Sequence, residues 1–220
     1  MEMDANEILC FYFFCYLFLF CYGSLLRMLI YSILIPSLLC ITLTIASSGL
    51  LNSIQGTWQS QSEQVITGPA FFEPQKELLQ EPKLPGISYS FKNGYWESAQ
   101  YIVMGNNRNH QCPQAMLIWQ HGKYNLKRGK LILIPNKNDG RQLISDPCFD
   151  NGMSEYKRFH NGETLEVDVR FDEYFGNWKL VLVDYLTGKK KQPMWLTSRN
   201  VTMLPTGTIT STKRKYVKKE

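Results

Sequence analysis

Histidine and cysteine are the side chains best able to hold a metal ion, and few of them lie beyond the apolar start of this chain. His110, His121 and His160 show no recurrent spacing, whereas zinc ligands recur at short, regular intervals. No Cys-x-x-Cys pair occurs, which argues against a thioredoxin-type oxidoreductase with its adjacent resolving thiol. We expect no metal site.

Carboxylates are the next candidates for chemistry, because a glycan hydrolase needs two of them across a sugar. Asp168, Asp172, Glu173 and Asp184 are the candidates. Asp168 belongs to the polar side of an alternating segment that ends at Asp172, so we interpret these acids as solvated. No phosphate loop, Gly-x-Ser-x-Gly elbow or nucleotide fingerprint appears. We therefore predict no catalytic residues, no cofactor and no use of ATP.

The segment from Asp139 to Cys148 gathers polar groups beside a cysteine. It could be a recognition loop, with Arg141 as a bidentate donor flanked by Asp139 and Asp146. Alternatively, it is a turn, a strand and an exit in which Asp146 caps Pro147. We favour the second interpretation and keep Asp139, Arg141 and Asp146 as the candidate recognition residues.

Aromatic side chains are numerous for a chain of this size. There are five tryptophans, at positions 58, 96, 119, 178 and 195, and twelve tyrosines. We expect most of them in the core. Any that form an exposed apolar patch would mark a surface for unfolded proteins or for sugar stacking.

The elements that must position these residues are strands. Residues 165–171, Leu-Glu-Val-Asp-Val-Arg-Phe, alternate apolar and charged side chains without a fault, which is typical of a strand with one buried face. Further strands are predicted over residues 87–91, 95–104, 115–120, 130–134, 140–145, 154–159, 178–184 and 193–197. Turn residues such as Asn93-Gly94 and Asn161-Gly162 separate them.

The predicted fold is all-β, an antiparallel meander that forms a barrel or a sandwich, since closure or stacking hides sheet edges. Gly56-Thr57-Trp58 is similar to the Gly-x-Trp of lipocalin-like barrels. Residues 71–79 are predicted to hold one short helix. Residues 81–86 contain two prolines and should form an extended connection.

The beginning of the chain is apolar. Residues 8–26 and 28–46 carry no charge, and Arg27 separates them; each run is close to the length that spans a bilayer. A signal peptide beginning at Met28, an uncleaved anchor and a tight hairpin all remain open. If Arg27 stays on the cytosolic side of the membrane, each of these alternatives places the residues after 48 on the opposite, lumenal side. We divide the chain into a signal peptide or anchor at 1–48, a lumenal all-β domain at 49–206 and a flexible basic tail at 207–220.

Two features fit that compartment. Cys112 and Cys148 are the only cysteines after residue 40, and in an oxidising lumen they would form one disulfide. Asn200 opens an Asn-Val-Thr glycosylation acceptor. Residues 49–212 contain 18 basic and 15 acidic side chains, so the predicted domain lacks the basic face that nucleic acid requires.

A series of short motifs then resembles the fungal "reversal of TOR-two lethality" (Rot-one) family, in order and at family spacing. The resemblance covers nearly all of residues 54–206. Its motifs are Gly56-Thr57-Trp58, Thr67-Gly68-Pro69, Leu84-Pro85-Gly86-Ile87, Gln120-His121-Gly122, Asp139-Gly140-Arg141-Gln142-Leu143, Ser145-Asp146-Pro147-Cys148 and Met203-Leu204-Pro205-Thr206.

The resemblance implies a membrane protein of the endoplasmic reticulum (ER), facing the lumen, that helps secretory and membrane proteins to fold. It further implies a role in cell-wall β-1,6-glucan synthesis and in protein glycosylation, without catalytic residues. Family members typically end in a Ser/Thr-rich stretch and an apolar anchor, whereas residues 206–212 lead here to a basic end. A shortened gene model, a soluble domain and attachment through the N-terminal runs are the alternatives.

The expected partners are therefore unfolded or partly folded secretory and cell-wall proteins, and the membrane through an apolar segment. A first alternative is a glycan-binding or glycan-processing accessory of β-glucan assembly, with aromatic rings and carboxylates converging in a cleft. A second is a lipocalin-like carrier, which would need a hollow apolar interior.

Overall fold

The computed structural model describes residues 52–151 and 153–210. The predicted membrane region at 1–48 and residues 211–220 of the predicted tail lie outside them. Within the described residues, one helical turn at 52–54 is followed by twelve strands. The strands are β1 (Gly56–Gln59), β2 (Phe72–Glu73), β3 (Leu78–Leu79), β4 (Gly86–Lys92), β5 (Tyr95–Met104), β6 (Gln114–Lys127), β7 (Lys130–Pro135), β8 (Arg141–Ser145), β9 (Glu155–Arg158), β10 (Glu163–Asp172), β11 (Asn177–Asp184) and β12 (Met194–Ser198).

Ten of these strands form one large antiparallel sheet, so the all-β prediction is confirmed. Its order is β5-β4-β1-β12-β11-β10-β7-β6-β8-β9, and β5 also pairs with β6. The pairing with β6 joins the first strand of this order to its eighth. Eight strands are thus joined in a closed circuit of hydrogen-bonded neighbours, from which β8 and β9 extend.

The connections follow a meander for most of the chain, with two departures. β1 inserts between β4 and β12, the last strand. β6 is much longer than the predicted 115–120, because along one edge it pairs first with β8, up to Trp119, and then with β7, from Gly122. A local pattern of alternation does not reveal such a change of partner.

The predicted helix at 71–79 is wrong. Phe72–Glu73 and Leu78–Leu79 pair with each other as the short hairpin β2–β3. Glu77 adopts a positive φ of 53° in its turn, and Phe71 and Phe72 are buried. Burial of both adjacent rings outweighs the weak helical tendency of the residues that follow Pro74.

All eight strands of the circuit contribute to one apolar core. Its members are Ile54, Trp58, Ile87, Tyr89, Phe91, Trp96, Tyr124, Leu131, Leu133, Leu165, Leu180, Leu182 and Met194. Because side chains alternate along a strand, β5 and β6 turn Ala99 and Trp119 to the opposite side. There they form a second core with Val65, Phe71, Phe72, Tyr101, Leu117 and Leu204.

Two glycines permit close backbone contacts in this arrangement. A Cβ at Gly122 would lie 2.0 Å from the carbonyl oxygen of Ile134, and one at Gly140 would lie 1.8 Å from that of Phe159. Neither position leaves room for a side chain. Both glycines belong to the family-like motifs of the sequence, and the structure gives them a steric reason.

Residues 200–210, here called the strap, run over the second core. Leu204 is buried in that core, and Ile209 and Thr210 donate hydrogen bonds to Asp139. The folded part therefore reaches Thr210, four residues beyond the predicted boundary at 206. A search of residues 52–151 and 153–210 finds no helix long and apolar enough to cross a membrane.

Candidate aromatic binding surface

Exposed aromatic rings cluster at the end of the β10–β11 hairpin. We call the exposed rings of Phe171, Tyr174, Phe175 and Trp178, together with the half-buried ring of Trp195, the aromatic tip. Phe171 is 51% exposed, Tyr174 90%, Phe175 45% and Trp178 43%. Large apolar side chains grouped at a surface mark a binding site more often than a scattered few do.

The register of β10 and β11 explains why Phe171 and Trp178 stay exposed. The alternating face of β10 buries Leu165, then half-buries Val167 and Val169, and leaves Phe171 outside. Phe171 pairs directly with Trp178 on β11, with ring centroids 5.8 Å apart in an edge-to-face arrangement. The apolar face thus continues beyond the core into solvent.

A second ring pair lies on the other side of the hairpin. Trp195 pairs with Lys179 across β11 and β12, and the ring of Phe175 lies 4.6 Å from that of Trp195. Tyr174 contacts Phe175 edge to face at 5.0 Å. The tip therefore presents apolar rings on both sides of one hairpin.

The turn that carries Tyr174 and Phe175 is held by its own polar groups. The carboxylate of Asp172 accepts hydrogen bonds from the backbone N–H groups of Tyr174 and Phe175 at 3.2 and 3.3 Å. Lys179 bonds the same carboxylate at 3.1 Å and holds the pKa of Asp172 below its usual value. Gly176 supplies the positive φ of 60° that the turn requires. The rings are thus presented from an ordered turn.

The predicted acidic residues do not converge on a cleft. Asp172 organises the turn of the tip, and Asp184 accepts bonds from Leu186 and Thr187 in the next turn. Asp168 is exposed beside Arg170, 3.7 Å away, and Glu173 is exposed. The described structure gives these four carboxylates solvated or turn-forming positions.

Asp139 and Arg141 are brought together, but inside the protein. Asp139 is fully buried; it faces His121 at 2.8 Å and accepts bonds from Ile209 and Thr210. Burial would raise the pKa of Asp139, but these donors hold it below its usual value. Arg141 is 1% exposed, and its guanidinium donates to the carbonyls of residues 138–140 and to Glu77 at 2.8 Å. Both side chains are therefore buried and hydrogen-bonded within the domain, and neither lies at its surface.

Asp146 lies apart from that pair, at the exit of β8. Its carboxylate accepts a hydrogen bond from Gln114, and its backbone N–H donates to Asp150. Cys148 follows, and its sulfur lies 1.97 Å from that of Cys112. The bond joins the loop before β6 to the loop after β8. Asn200, the predicted glycosylation acceptor, is exposed on the strap.

Glu97 is a buried acid that belongs to none of the motifs described above. One oxygen accepts from the N–H of Gly68 and from the indole of Trp119 at 2.9 Å, and the other accepts from the N–H of Leu204 at 2.8 Å. Burial raises the pKa of Glu97, and these three bonds partly offset the rise. Its position as the only charged residue of β5 was the available signal.

The aromatic tip was only partly visible in the sequence. Trp178, Trp195 and Tyr174 belong to the tryptophans and tyrosines from which an exposed patch was expected, whereas Phe171 and Phe175 do not. The missed signal is Tyr174-Phe175, two large rings between Asp172 and Gly176, where a turn usually carries small polar residues.

The space enclosed by the circuit holds side chains of the first core. A cleft of about 380 Å³ opens between the start of β4, the end of β5 and residues 184–192. Three lysines, at 189–191, line it opposite Ile87, Ile102 and Val103. The described residues contain no group of three metal-binding side chains.

Comparison with known proteins gives consistent matches over the folded region. Residues 54–220 match the model of the Rot1 family, described as a fungal chaperone for protein folding within the ER. Protein ROT1 of Vanderwaltozyma polyspora is 54% identical over 163 residues, which cover 73% of this chain and 64% of that protein. Protein ROT1 of Saccharomyces cerevisiae is 52% identical over 164 residues, with the same coverage.

Protein rot1 of Schizosaccharomyces pombe is 49% identical over 160 residues, covering 71% of this chain and 68% of that protein. The chain thus spans about two thirds of the length of the curated relatives it matches. No solved structure matches it.

Proposed function

The chain belongs to the Rot1 family of fungal ER chaperones, and from this we propose that it holds partly folded secretory proteins through the aromatic tip. The observation that carries the proposal is the ordered hairpin end with four rings at least 43% exposed. An unfolded client offers apolar side chains that such rings can cover.

The energy available at the tip fits a transient holding role. Burial of apolar surface contributes about 25 cal/mol per Å², and a fully buried aromatic side chain occupies roughly 150–250 Å². Half-exposed rings can each bury about half of that, so four of them contribute roughly 8–12 kcal/mol before the cost of association, about 4–15 kcal/mol, is subtracted. Such an affinity lets a client bind and leave without nucleotide hydrolysis.

The proposal includes the setting implied by the family. Residues 49–210 face the ER lumen, the apolar N-terminal segment attaches the protein to the membrane, and Asn200 is glycosylated. Clients are secretory and membrane proteins, among them enzymes of β-1,6-glucan synthesis, so loss of the chain lowers wall glucan and glycosylation through misfolding. The protein itself is not an enzyme. The contact of Cys112 with Cys148 supports an oxidising compartment for the domain.

We also propose that the closed circuit of eight strands is a barrel rather than a sandwich. Every strand of the circuit contributes to one central core, and β5 pairs with both β4 and β6. Two stacked sheets would leave open edges at the positions where these pairings occur. The packed centre disfavours a lipocalin-like carrier of an internal ligand.

The test uses the purified full chain, a chemically unfolded client and light scattering, without nucleotide. We expect near-stoichiometric chain to suppress aggregation. A variant carrying Tyr174→Ser and Trp178→Ser should need several-fold more protein for the same effect, because two exposed rings are lost. Trp178 packs on Phe171, so its loss lowers the stability of the variant, and far-ultraviolet circular dichroism checks that both proteins are folded in the assay.

The matched control carries Phe149→Ser and Met153→Ser, which remove two side chains that are 76% and 71% exposed elsewhere on the surface. Equal loss in both variants would mean that general hydrophobicity, not the tip, holds the client. No suppression by the unmodified chain with several unrelated clients would refute the holding activity.

A glycan-binding accessory of β-glucan assembly is the second candidate. The exposed ring of Tyr174 beside Phe175 favours it, because sugars stack on such faces. Titration of the chain with soluble β-1,6-glucan, followed by tryptophan fluorescence, distinguishes the candidates. A change that disappears with Trp178→Ser would support glycan binding, and its absence would leave the protein client as the occupant.

A further inference from the structure

β10 has a free edge along most of its length. It pairs with β11 from Leu165 to Asp172, but β7 covers only Glu163, Thr164 and Leu165 on the other side. Within the residues that the structure describes, 166–172 have no strand on that side. A strand edge of this kind is a template for another extended chain.

The direction of the backbone groups on this edge follows from the register. The N–H of Tyr185 donates to the carbonyl of Thr164 at 2.9 Å, so the backbone groups of Thr164 point toward β11. Such groups alternate along an antiparallel strand, and the register runs without a shift to Asp172. The N–H and C=O groups of Val167, Val169 and Phe171 therefore point to the free edge.

The opposite strand supports this assignment. On β11, the N–H of Asp184 donates to Lys189 and the carbonyl of Leu182 accepts from Lys191, both at 2.9 Å. These two residues face away from β10, as the alternation requires, because they pair with Leu165 and Val167.

The side chains along the edge indicate what kind of strand would fit. Glu166 and Asp168 pair with Val183 and Val181 on β11, which gives them no cation. In the described structure the cation beside them is Arg170, 3.7 Å from Asp168 on β10 itself. A basic residue on a strand added at the free edge would lie directly opposite them, where charge pairs stabilise sheets. On the other face, Val167 and Val169 are half-buried and lead to exposed Phe171.

A second edge strand of the fold offers a useful contrast. β9 pairs only with β8 in the described structure, and its residues Glu155, Lys157 and Arg158 are all charged and exposed. Charged side chains on both faces protect an edge from added strands. Along its free edge, residues 166–172, β10 is charged on one face only, and its apolar face continues into the aromatic tip.

Building on the proposed function, we infer that β10 binds an extended client segment as an added antiparallel strand. The segment alternates apolar and basic residues. Its apolar residues lie opposite Val167, Val169 and Phe171 and exchange backbone hydrogen bonds with them, and its basic residues face Glu166 and Asp168. Strand addition gives affinity through the backbone and selects the client through alternate side chains.

The first test is amide hydrogen exchange of the full chain with a ten-residue peptide of alternating Val and Lys. In the free chain, the amides of Val167, Val169 and Phe171 should exchange quickly, whereas those of Glu166, Asp168 and Arg170 are protected by β11. The peptide should protect the first three. A bound peptide that leaves them unprotected would overturn strand addition.

Two methylated peptides provide a matched control that leaves the protein unchanged. In the proposed register, the valine N–H groups point at β10 and the lysine N–H groups point to solvent. N-methylation of two valines should therefore weaken binding at least tenfold, because it removes two backbone hydrogen bonds to β10, and N-methylation of two lysines should change it less than threefold. Equal effects would refute the proposed register.

Two further outcomes separate this inference from the proposed function. If the chain suppresses aggregation but the peptide fails to protect Val167, Val169 and Phe171, clients are held by side chains alone and strand addition is wrong. If the peptide protects those amides but no client is held, strand addition stands and the holding function fails. A Val-Glu peptide that binds as well as Val-Lys would overturn the role of Glu166 and Asp168.

Discussion

Glu97→Gln tests whether a buried carboxylate fastens the strap to the second core. In the native chain, the two oxygens of Glu97 accept three hydrogen bonds, from Gly68, Trp119 and Leu204. Glutamine keeps one acceptor oxygen and replaces the other with an NH₂ group. The oxygen that accepts two bonds can be retained, and the NH₂ group then faces the N–H of Leu204.

The expected cost follows from these contacts. A buried donor without an acceptor costs roughly 1–3 kcal/mol, and the other two bonds lose the strengthening that a charged acceptor gives. The neutral amide also avoids burying a charge, which offsets part of this loss. We expect Glu97→Gln to lower the free energy of unfolding by about 2 kcal/mol. Glu97→Leu leaves three donors unpaired and should cost roughly 3–5 kcal/mol.

Denaturant unfolding at neutral pH, followed by tryptophan fluorescence, measures both changes, since Trp119 stacks on Phe72 at 4.2 Å. Glu166→Gln, at an exposed position, is the control. Because burial raises the pKa of Glu97, the native chain should gain stability relative to the glutamine variant as pH falls toward 4.5. A glutamine variant as stable as the native chain would show that the three bonds do not repay the buried charge.

Three other predictions concern the fold. Gly140→Ala and Gly122→Ala should each destabilise the domain by about 3 kcal/mol or more, because the new methyl group overlaps a backbone oxygen; thermal unfolding tests this, and a near-neutral effect would mean that the strands can separate locally. Cys112→Ser and Cys148→Ser should lower stability equally, by about 4 kcal/mol for a separation of 36 residues; unequal losses, or a free thiol in the native chain, would contradict the pairing. Burial raises the pKa of Tyr156 to about 12, so the stability that its neutral hydroxyl contributes should be present below pH 10 and lost as pH rises toward 12. Ultraviolet titration follows the ionisation of tyrosines, and the ionisation step near pH 12 should be smaller in Tyr156→Phe.

Local pattern was enough to predict most strands. The alternation from Leu165 to Phe171 predicted β10, and the predicted bounds of β5, residues 95–104, agree with the structure. These elements were predictable because a half-buried strand imposes a period of two on its own residues.

Features that depend on distant residues were not predictable in the same way. The hairpin β2–β3 exists because Phe71 and Phe72 pack against Trp119 and its neighbours, and no local signal contains that contact. The sequence around Arg141 is typical of a recognition loop. In the structure, however, the buried guanidinium of Arg141 donates a hydrogen bond to the carboxylate of Glu77, 64 positions earlier. Only the fold shows whether a polar side chain already has its partners.

The candidate site lies between these cases. Tyr174 and Phe175 are visible as unusual turn residues, but their importance depends on Trp178 and Trp195 reaching the same end of the sheet. The free edge of β10 depends on the length of β7 and on where its pairing with β10 stops. Whether an edge is unpaired depends on how two strands align, so the sequence of either strand alone does not show it.

The pairing of β1 with β12 also sets the order in which the protein can be completed. Thr197 on β12 bonds Gln59 on β1 across 138 positions. A ribosome adding roughly 5–20 residues per second makes the second of these residues about 7–28 seconds after the first. Throughout that interval Trp58 and its strand lack one of their two neighbours. A nascent copy of this chain therefore remains an incomplete sheet for most of its synthesis, because one edge of β1 stays unpaired until β12 has been made.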